Sequence, residues 1–344
     1  MTRSTRYFLS GSAFVVVLGL GTGLVAMYNG GLPLGAASRS DAELAYLPAD
    51  AAAVAYADVR AIMNSEFRQK LRQVLPTGEE LGRFREELGV DIERDIDTVA
   101  AAYLGGAGGL QSGVVIVRGR FNDVQIEGLA TRHGAIVETY KDKRLLTMAD
   151  VVRPESSTES VAPHHPTATI AFLEPGVLAL GEVAAVKKAI DAGPTGTALR
   201  QNTELIGLVD EMRGSGNAWV AGRLDAMANH PGLPTELTSH LPAVNLVAAS
   251  VHVNGGVRGM LRADARDDKA AEQLRDVVRG ALAAGKLMTG QNPKMDVMLN
   301  SLHITGTGKT VGLSFTVPAE FLELLNGVAA AHSIGTGESA PIRK

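Results

Sequence analysis

The sequence predicts an α+β fold: an N-terminal transmembrane helix followed by two similar halves, each a mainly antiparallel sheet with helices packed on one face. Three observations predict it. The stretch Tyr7–Met27 contains no charged residue. Downstream, short apolar runs alternate with turn residues and amphipathic helical segments, the pattern of hairpins interleaved with helices. Finally, the order of these segments in the first half recurs in the second.

As a helix rising about 1.5 Å per residue, Tyr7–Met27 covers roughly 31 Å, close to the hydrocarbon thickness of a bilayer. Arg3 and Arg6 precede it and the next charged residue is Arg39. That asymmetry predicts a cytoplasmic N-terminus, a single pass through a bacterial inner membrane, and a chain whose bulk is periplasmic or extracellular. The apolar run is longer than the core of a secretory signal, which favours a retained anchor, although Gly35-Ala36-Ala37 offers a cleavage site. Gly19 and Gly23 form a GxxxG pair, a pattern that simple glycine usage in membrane helices also produces.

Composition narrows the function classes. A net charge of −4 with dispersed Lys and Arg leaves no basic stripe and speaks against a nucleic-acid partner. The chain has no cysteine, which excludes disulfides, thiolate metal sites, a Cys nucleophile and a lipidated Cys. Aromatic residues make up only 4%, so small aliphatic side chains must fill the core.

In chain order, residues 1–28 are the cytoplasmic tip and signal anchor, and 29–46, rich in Gly, Ala and Ser, read as a flexible tether. The first half spans 47–193. It opens with an apolar strand, Ala51–Ala57, and an amphipathic helix, Val59–Leu75, followed by a charged helix over Glu79–Leu88. Strands Asp97–Leu104 and Gly113–Phe121 flank the Gly-rich loop 105–112. The helix Val124–His133 follows an Asn122-Asp123 cap. Hairpins then follow over Ala135–Tyr140 with Arg144–Ala149 and over Thr167–Leu173 with Val177–Leu180, separated by a polar loop at 150–166. Helix Glu182–Asp191 stops at Gly193-Pro194. Residues 194–216 read as a linker.

The second half, 217–331, opens with strand Asn217–Gly222 and helix Arg223–His230. A hairpin joins Ala243–Val253 to Val257–Ala265, and helix Lys269–Met288 follows an Asp267-Asp268 cap. A last hairpin joins Met295–Thr305 to Thr310–Val317, and Pro318 starts the helix Ala319–Ala331. Residues 332–344 read as a disordered tail. The repeat is visible in short segments: AYADVRAIMNS at 55–65 against VAGRLDAMANH at 220–230, VAAAYL at 99–104 against VAASVH at 247–252, and VIVRGRFND at 115–123 against MLRADARDD at 260–268.

The Leu47-Pro48-Ala49-Asp50 opening, the VRAIMNS helix start and the Gly89-Val90-Asp91…Asp95 segment resemble bacterial envelope proteins that carry a signal anchor and two such α+β halves, a group known only as a domain of unknown function. The resemblance covers most of 45–325. It implies an extracytoplasmic location and transfers no functional residue.

No motif establishes chemistry. Gly306-Thr307-Gly308-Lys309-Thr310 resembles the end of a phosphate-binding loop, but the required earlier glycine is replaced by His303 and a strand-like run follows, so it reads as a hairpin turn. Gly105–Gly109 lacks the GxGxxG spacing and joins two strands. Asp91, Glu93, Asp95 and Asp97 alternate as in a calcium loop, yet the sixth and twelfth positions are Ile96 and Ala102 instead of Gly and Glu. His164-His165 sit in a proline-flanked loop without a further zinc ligand. His133, His230, His240, His252 and His303 are scattered, with no GxSxG elbow. The expectation is therefore no catalytic, cofactor-binding or metal residue and no cofactor. The expected partners are the lipid bilayer through Tyr7–Met27 and envelope proteins. The preferred reading is a tethered, non-catalytic interaction or scaffold module. The alternatives are a binding module for an apolar or lipid-like ligand held between the halves and, last, a hydrolase.

Overall fold

The computed structural model describes residues 41–69, 91–105, 113–148, 168–193, 198–224, 244–288 and 299–318. The apolar stretch Tyr7–Met27, most of the tether, the helices expected at 79–88 and 319–331, residues 225–230 of the helix expected over 223–230, the loop 150–166 and the C-terminal tail lie outside these residues, and Arg223 itself ends a strand. No helix among the described residues is long and apolar enough to cross a membrane.

Among the described residues, twelve strands build one sheet in which every neighbouring pair is antiparallel. They are β1 (Ala53–Ala57), β2 (Ile96–Tyr103), β3 (Gly113–Gly119), β4 (Ile136–Tyr140), β5 (Lys143–Met148), β6 (Ala168–Glu174), β7 (Val177–Gly181), β8 (Ala218–Arg223), β9 (Val244–Val253), β10 (Gly256–Ala265), β11 (His303–Thr305) and β12 (Thr310–Pro318). Their lateral order is β11-β12-β10-β9-β8-β1-β2-β3-β7-β6-β5-β4. The expected hairpins all form, because each tight turn has residues suited to it. Gly176 (φ 74°) follows Pro175 between β6 and β7. The β4–β5 turn instead places Lys141 and Asp142 in the left-handed region, at φ 47° and 63°, the geometry of a type I′ turn.

Seven helices whose full extent is described, numbered in chain order, accompany the sheet: α1 (Asp41–Leu44), α2 (Val59–Met63), α3 (Ile92–Asp95), α4 (Asp123–Arg132), α5 (Val183–Ala192), α6 (Thr203–Met212) and α7 (Asp268–Met288). Caps foreseen in the sequence are made. Asn122 Oδ1 accepts from Gln125 N at 3.1 Å, and Asp267 Oδ1 accepts from Ala270 N at 2.8 Å. Asp58 caps α2, its Oδ1 accepting from Ala61 N at 2.7 Å. Burial raises the Asp58 carboxyl above the usual range against the pull of that bond. A neutral cap should therefore do as well. Asp58→Asn is expected to match the wild-type melting temperature at pH 7, and Asp58→Ala to lose about 1 kcal/mol, a difference that thermal denaturation followed by circular dichroism would register.

The helices do not share one face, and this corrects the expectation. α1, α5 and α6 pack with Val54, Tyr56, Ala100, Ile116 and Trp219. On the opposite face, α2 packs with Ala57, Val99 and Val117, and α4 with Leu146, Phe172 and Leu178. α7 packs with Ala265 and Val311. Central strands covered on both sides need apolar residues at consecutive positions. The Ala-rich runs of β1 and β2 supply them, which is why their alternation is weak.

Four further expectations are corrected. The 194–216 segment is not a bare linker: after a 3₁₀ turn at Leu199–Gln201 it forms α6, whose Leu205, Leu208, Val209 and Met212 are buried in the main core. Asn202 caps α6 and also donates to Ala49 O and Ala51 O, both at 2.9 Å, tying the helix to the approach of β1. The tether ends earlier than residue 46, because Glu43, Leu44, Tyr46 and Leu47 are already buried. The helix expected over 59–75 breaks at Asn64: Ser65 Oγ accepts from Arg68 N at 3.2 Å and starts a new turn, a local side-chain bond that competes with helix continuation. On the last hairpin, Leu299 and Asn300 are helical, so that strand shortens to β11.

One lateral row crosses the entire sheet: His303, Ser314, Met260, Ser250, Trp219, Tyr56, Ala100, Ile116, Ala179, Ala171, Leu145 and Glu138. Its middle is apolar and buried, and its two ends are the polar residues of the edge strands. At the centre, β1 and β8 join the halves, with Tyr56 opposite Trp219, the two rings stacked at 5.9 Å between centroids. Both residues are buried.

Candidate functional site

Among the described residues, the attachment of α1 and the outer edge of β4 bring together polar side chains and unpaired backbone.

At the first, α1 lays Glu43 against the sheet and Tyr46 follows one turn later. Arg118, near the end of β3, donates through Nε to Glu43 Oε1. The Glu43 carboxylate is buried, and its second oxygen has no hydrogen-bond partner among the described residues. Tyr46 Oη donates to Glu174 Oε1, at the end of β6, at 2.5 Å. Nearby, Lys143 Nζ donates to Leu173 O at 2.6 Å. The Arg118 guanidinium thus occupies one oxygen of that carboxylate. Burial first, and then the Glu174 carboxylate, push the Tyr46 phenol well above its ordinary value, so it stays protonated and donates. The arrangement acts as a clamp, fixing the start of the folded unit to β3 and β6.

This has a pH signature. A tyrosine with a raised folded pKa is neutral when the unfolded chain already ionises near pH 10, so its contribution is present below that pH and is lost as pH climbs above it. Tyr46→Phe is expected to flatten the loss of stability between about pH 10 and pH 11.5, measured by urea denaturation at stepped pH. An unchanged slope would show that Tyr46 does not contribute.

The second place is β4. It pairs with β5 on one side, and among the described residues nothing pairs with it on the other. Ile136 and Val137 are 65% and 44% exposed. Above the strand, Lys187 Nζ of α5 lies 3.0 Å from Glu138 Oε1 and over the Tyr140 ring. Asp191 accepts from Tyr140 Oη at 3.0 Å and from Lys141 Nζ at 2.6 Å.

The residues singled out in the sequence are dispersed. The 306–310 segment is a turn into β12, with Gly306 and Gly308 at φ 89° and 56°, held by Arg275 donating to Gly308 O at 2.6 Å and Thr310 O at 3.0 Å. Strand β12 stands where a phosphate loop would need a helix. Of the acidic series, Asp91 accepts an ion pair from Arg94 at 3.8 Å, Asp95 Oδ2 accepts from Asp91 N at 2.8 Å, and Asp97 pairs with Arg60. They face arginines and backbone instead of a common centre, and among the described residues no group of three metal-ligating side chains occurs. Gly105 keeps a positive φ at the end of β2, and the rest of that loop lies outside the described residues. So do His164, His165, His230 and His240. His133 caps α4, while His252 and His303 lie on β9 and β11. The clamp was not anticipated: its partners are 75 and 128 residues apart in sequence, and no local pattern announces such pairs.

No protein-family description, curated protein or solved structure matches this chain.

Proposed function

We propose that this chain is a membrane-tethered, extracytoplasmic scaffold, a non-catalytic interaction module built from two copies of one α+β unit. Its relatives would be the envelope proteins that its sequence resembles. In this reading Tyr7–Met27 spans the inner membrane with the N-terminus cytoplasmic, and the sheet stands on the periplasmic side.

The observation that carries a scaffold over a ligand-binding module is the filled seam between the halves. β1 and β8 form a continuous ladder there, and Tyr56 and Trp219 occupy one side of it with their own rings. A lipid-like ligand would need that volume. The hydrolase reading has no serine–histidine or aspartate–histidine hydrogen bond to rest on among the described residues.

The strand registers support the duplication. Moving β1 by 165 residues and β2 by 148 reproduces the β8–β9 register, so that Ala53↔Tyr103 becomes Ala218↔Val251. Shifts of 148 and 146 carry the β2–β3 register onto β9–β10, including the irregularity opposite Arg118/Gly119, which recurs opposite Asp264/Ala265. Shifts of 146 and 133 carry β3–β7 onto β10–β12, and 134 and 133 carry β6–β7 onto β11–β12. The hydrogen bonds flanking the seam obey the same offset: Asp58 N donates to Asn217 O, and Arg223 N to Ala52 O. The sequence matches at 55–65 and 99–104 agree with these shifts, and the looser match at 115–123 is out by one residue. Among the described residues the hairpin β4–β5 has no counterpart, and the long helix α7 follows β10 in the second half.

The α1 clamp supports the tethered part of the reading. With the chain packed from about residue 41, some 13 residues separate it from Met27, a reach of at most about 45 Å. That holds the sheet close to the bilayer and raises its local concentration toward other membrane components. The test is crosslinking of the full-length protein in its native membrane, followed by mass spectrometry. A reproducible set of envelope proteins attached to residues 41–318 is expected. An alkaline phosphatase fusion after Lys344 should be active, and an inactive fusion would overturn the topology.

A further inference from the structure

We infer that the outer edge of β4 is a pairing surface for a second copy of this chain, with β4 of each copy running antiparallel to the other and joining two sheets into one. The inference deepens the scaffold reading by naming its first partner.

The two edges of the sheet are treated differently. Open edges are normally blunted by very short strands, proline, bulges or a covering element. At one end, β11 is only three residues long. At the other, β4 has five residues in regular register with β5, without proline or bulge. The apolar row Leu180, Ile170, Leu146 runs out to Val137, which is half-exposed. Among the described residues, β4 also belongs to the one hairpin that the duplication leaves unaccounted for.

The register decides the occupant. The two-residue turn makes Tyr140 and Lys143 a hydrogen-bonded pair, so by alternation Glu138 and Ile136 point their backbone groups at β5. Val137 and Thr139 point theirs outward. Two such edges meet with the greatest overlap when Val137 pairs with Thr139 of the other copy, twice over. Glu138 then meets Glu138, and Ile136 meets Tyr140 at both ends. Aromatic and β-branched residues directly opposite one another favour strand pairing, as do Val and Thr.

The central glutamates, which would otherwise repel, each carry their own Lys187 at 3.0 Å. The four charges therefore run Lys, Glu, Glu, Lys and sum to zero. A foreign strand would need to bring its own complement to that Lys–Glu pair, whereas a second copy brings it by symmetry. Copies anchored in one membrane meet at high effective concentration, which suits an interface of one strand per side.

The chain contains no cysteine, so single cysteines report cleanly. In full-length protein solubilised in detergent, Glu138→Cys is expected to oxidise to a disulfide dimer at least about tenfold more than His303→Cys at the opposite edge, because only residue 138 faces itself across a non-hydrogen-bonded pair. Without cysteines, wild type is expected to sediment as a dimer, and Glu138→Lys, which gathers four lysines at the contact, as a monomer. The double variant Glu138→Lys/Lys187→Glu restores neutrality and should restore the dimer, an outcome that a folding defect would not produce. Equal crosslinking at 138 and 303, or a wild-type monomer that Glu138→Lys leaves unchanged, overturns the proposal. So does a 138 crosslink in the native membrane to a protein of different mass only, which assigns the edge to another partner and leaves the scaffold reading standing. Dimer formation in detergent together with an inactive phosphatase fusion would remove the topology and keep the pairing.

Discussion

Replacing Arg118 with Met is expected to destabilise the protein by about 3 kcal/mol, the lower end of the cost of removing one partner from a buried ion pair. The lower end applies because the Arg118 side chain is about one third exposed while Glu43 is buried. The loss arises mainly from Glu43. Its carboxylate would keep its burial and lose the guanidinium, with its other oxygen already lacking a partner among the described residues. The double variant Glu43→Leu/Arg118→Met removes both charges and is expected to recover most of the stability, since an apolar pair of similar volume often replaces a buried ion pair without loss. Urea denaturation of the four proteins completes the cycle. A double variant as unstable as Arg118→Met alone would mean that the guanidinium stabilises through packing and not through Glu43.

The second large effect is expected at the seam. Trp219→Ala should cost about 3–5 kcal/mol, the range for a buried large aromatic truncated in a core. Trp219 stacks on Tyr56 and belongs to the cluster that also holds Ala221, Ala248 and the apolar face of α6. A cavity there would lie between the halves, so the loss should reach both of them. Hydrogen exchange is expected to speed up in β1, β2, β8 and β9 together. Acceleration confined to β8 and β9 would mean that the halves open independently.

How far the sequence carried these conclusions depends on where the information lies. Hairpins were legible because their turns are local: Pro175-Gly176 and Asn254-Gly255-Gly256 sit between apolar runs. Caps at Asn122 and Asp267 were legible for the same reason. Helix α6 escaped although Leu205, Leu208, Val209 and Met212 have helical spacing, because the Pro194-Thr195-Gly196-Thr197 opening has the composition of a linker. The start of the domain escaped too. Ala and Ser around residues 36–45 look like a tether, and only the partners of Glu43 and Tyr46, on β3 and β6, turn the end of that stretch into core. The coverage of both faces was hidden by alanine, which fits a half-buried strand and a fully buried one equally well. Of the candidate sites, the edge of β4 required the strand order and the clamp required the tertiary pairing, neither of which a single sequence displays.

The seam also sets a timetable for the growing chain. β1 pairs with β2 as soon as residue 103 is available, but its other side waits for β8, the strand that begins at Ala218. Synthesis at about 5–20 residues per second leaves roughly 6–23 s between the two. Throughout that interval the buried strand Ala53–Ala57 is an open edge rather than a centre. Two nascent chains emerging side by side could each supply the other's β8, so the completed halves would be exchanged between molecules. Slow delivery of the second half would thus favour interlocked dimers over monomers, and rapid delivery would suppress them.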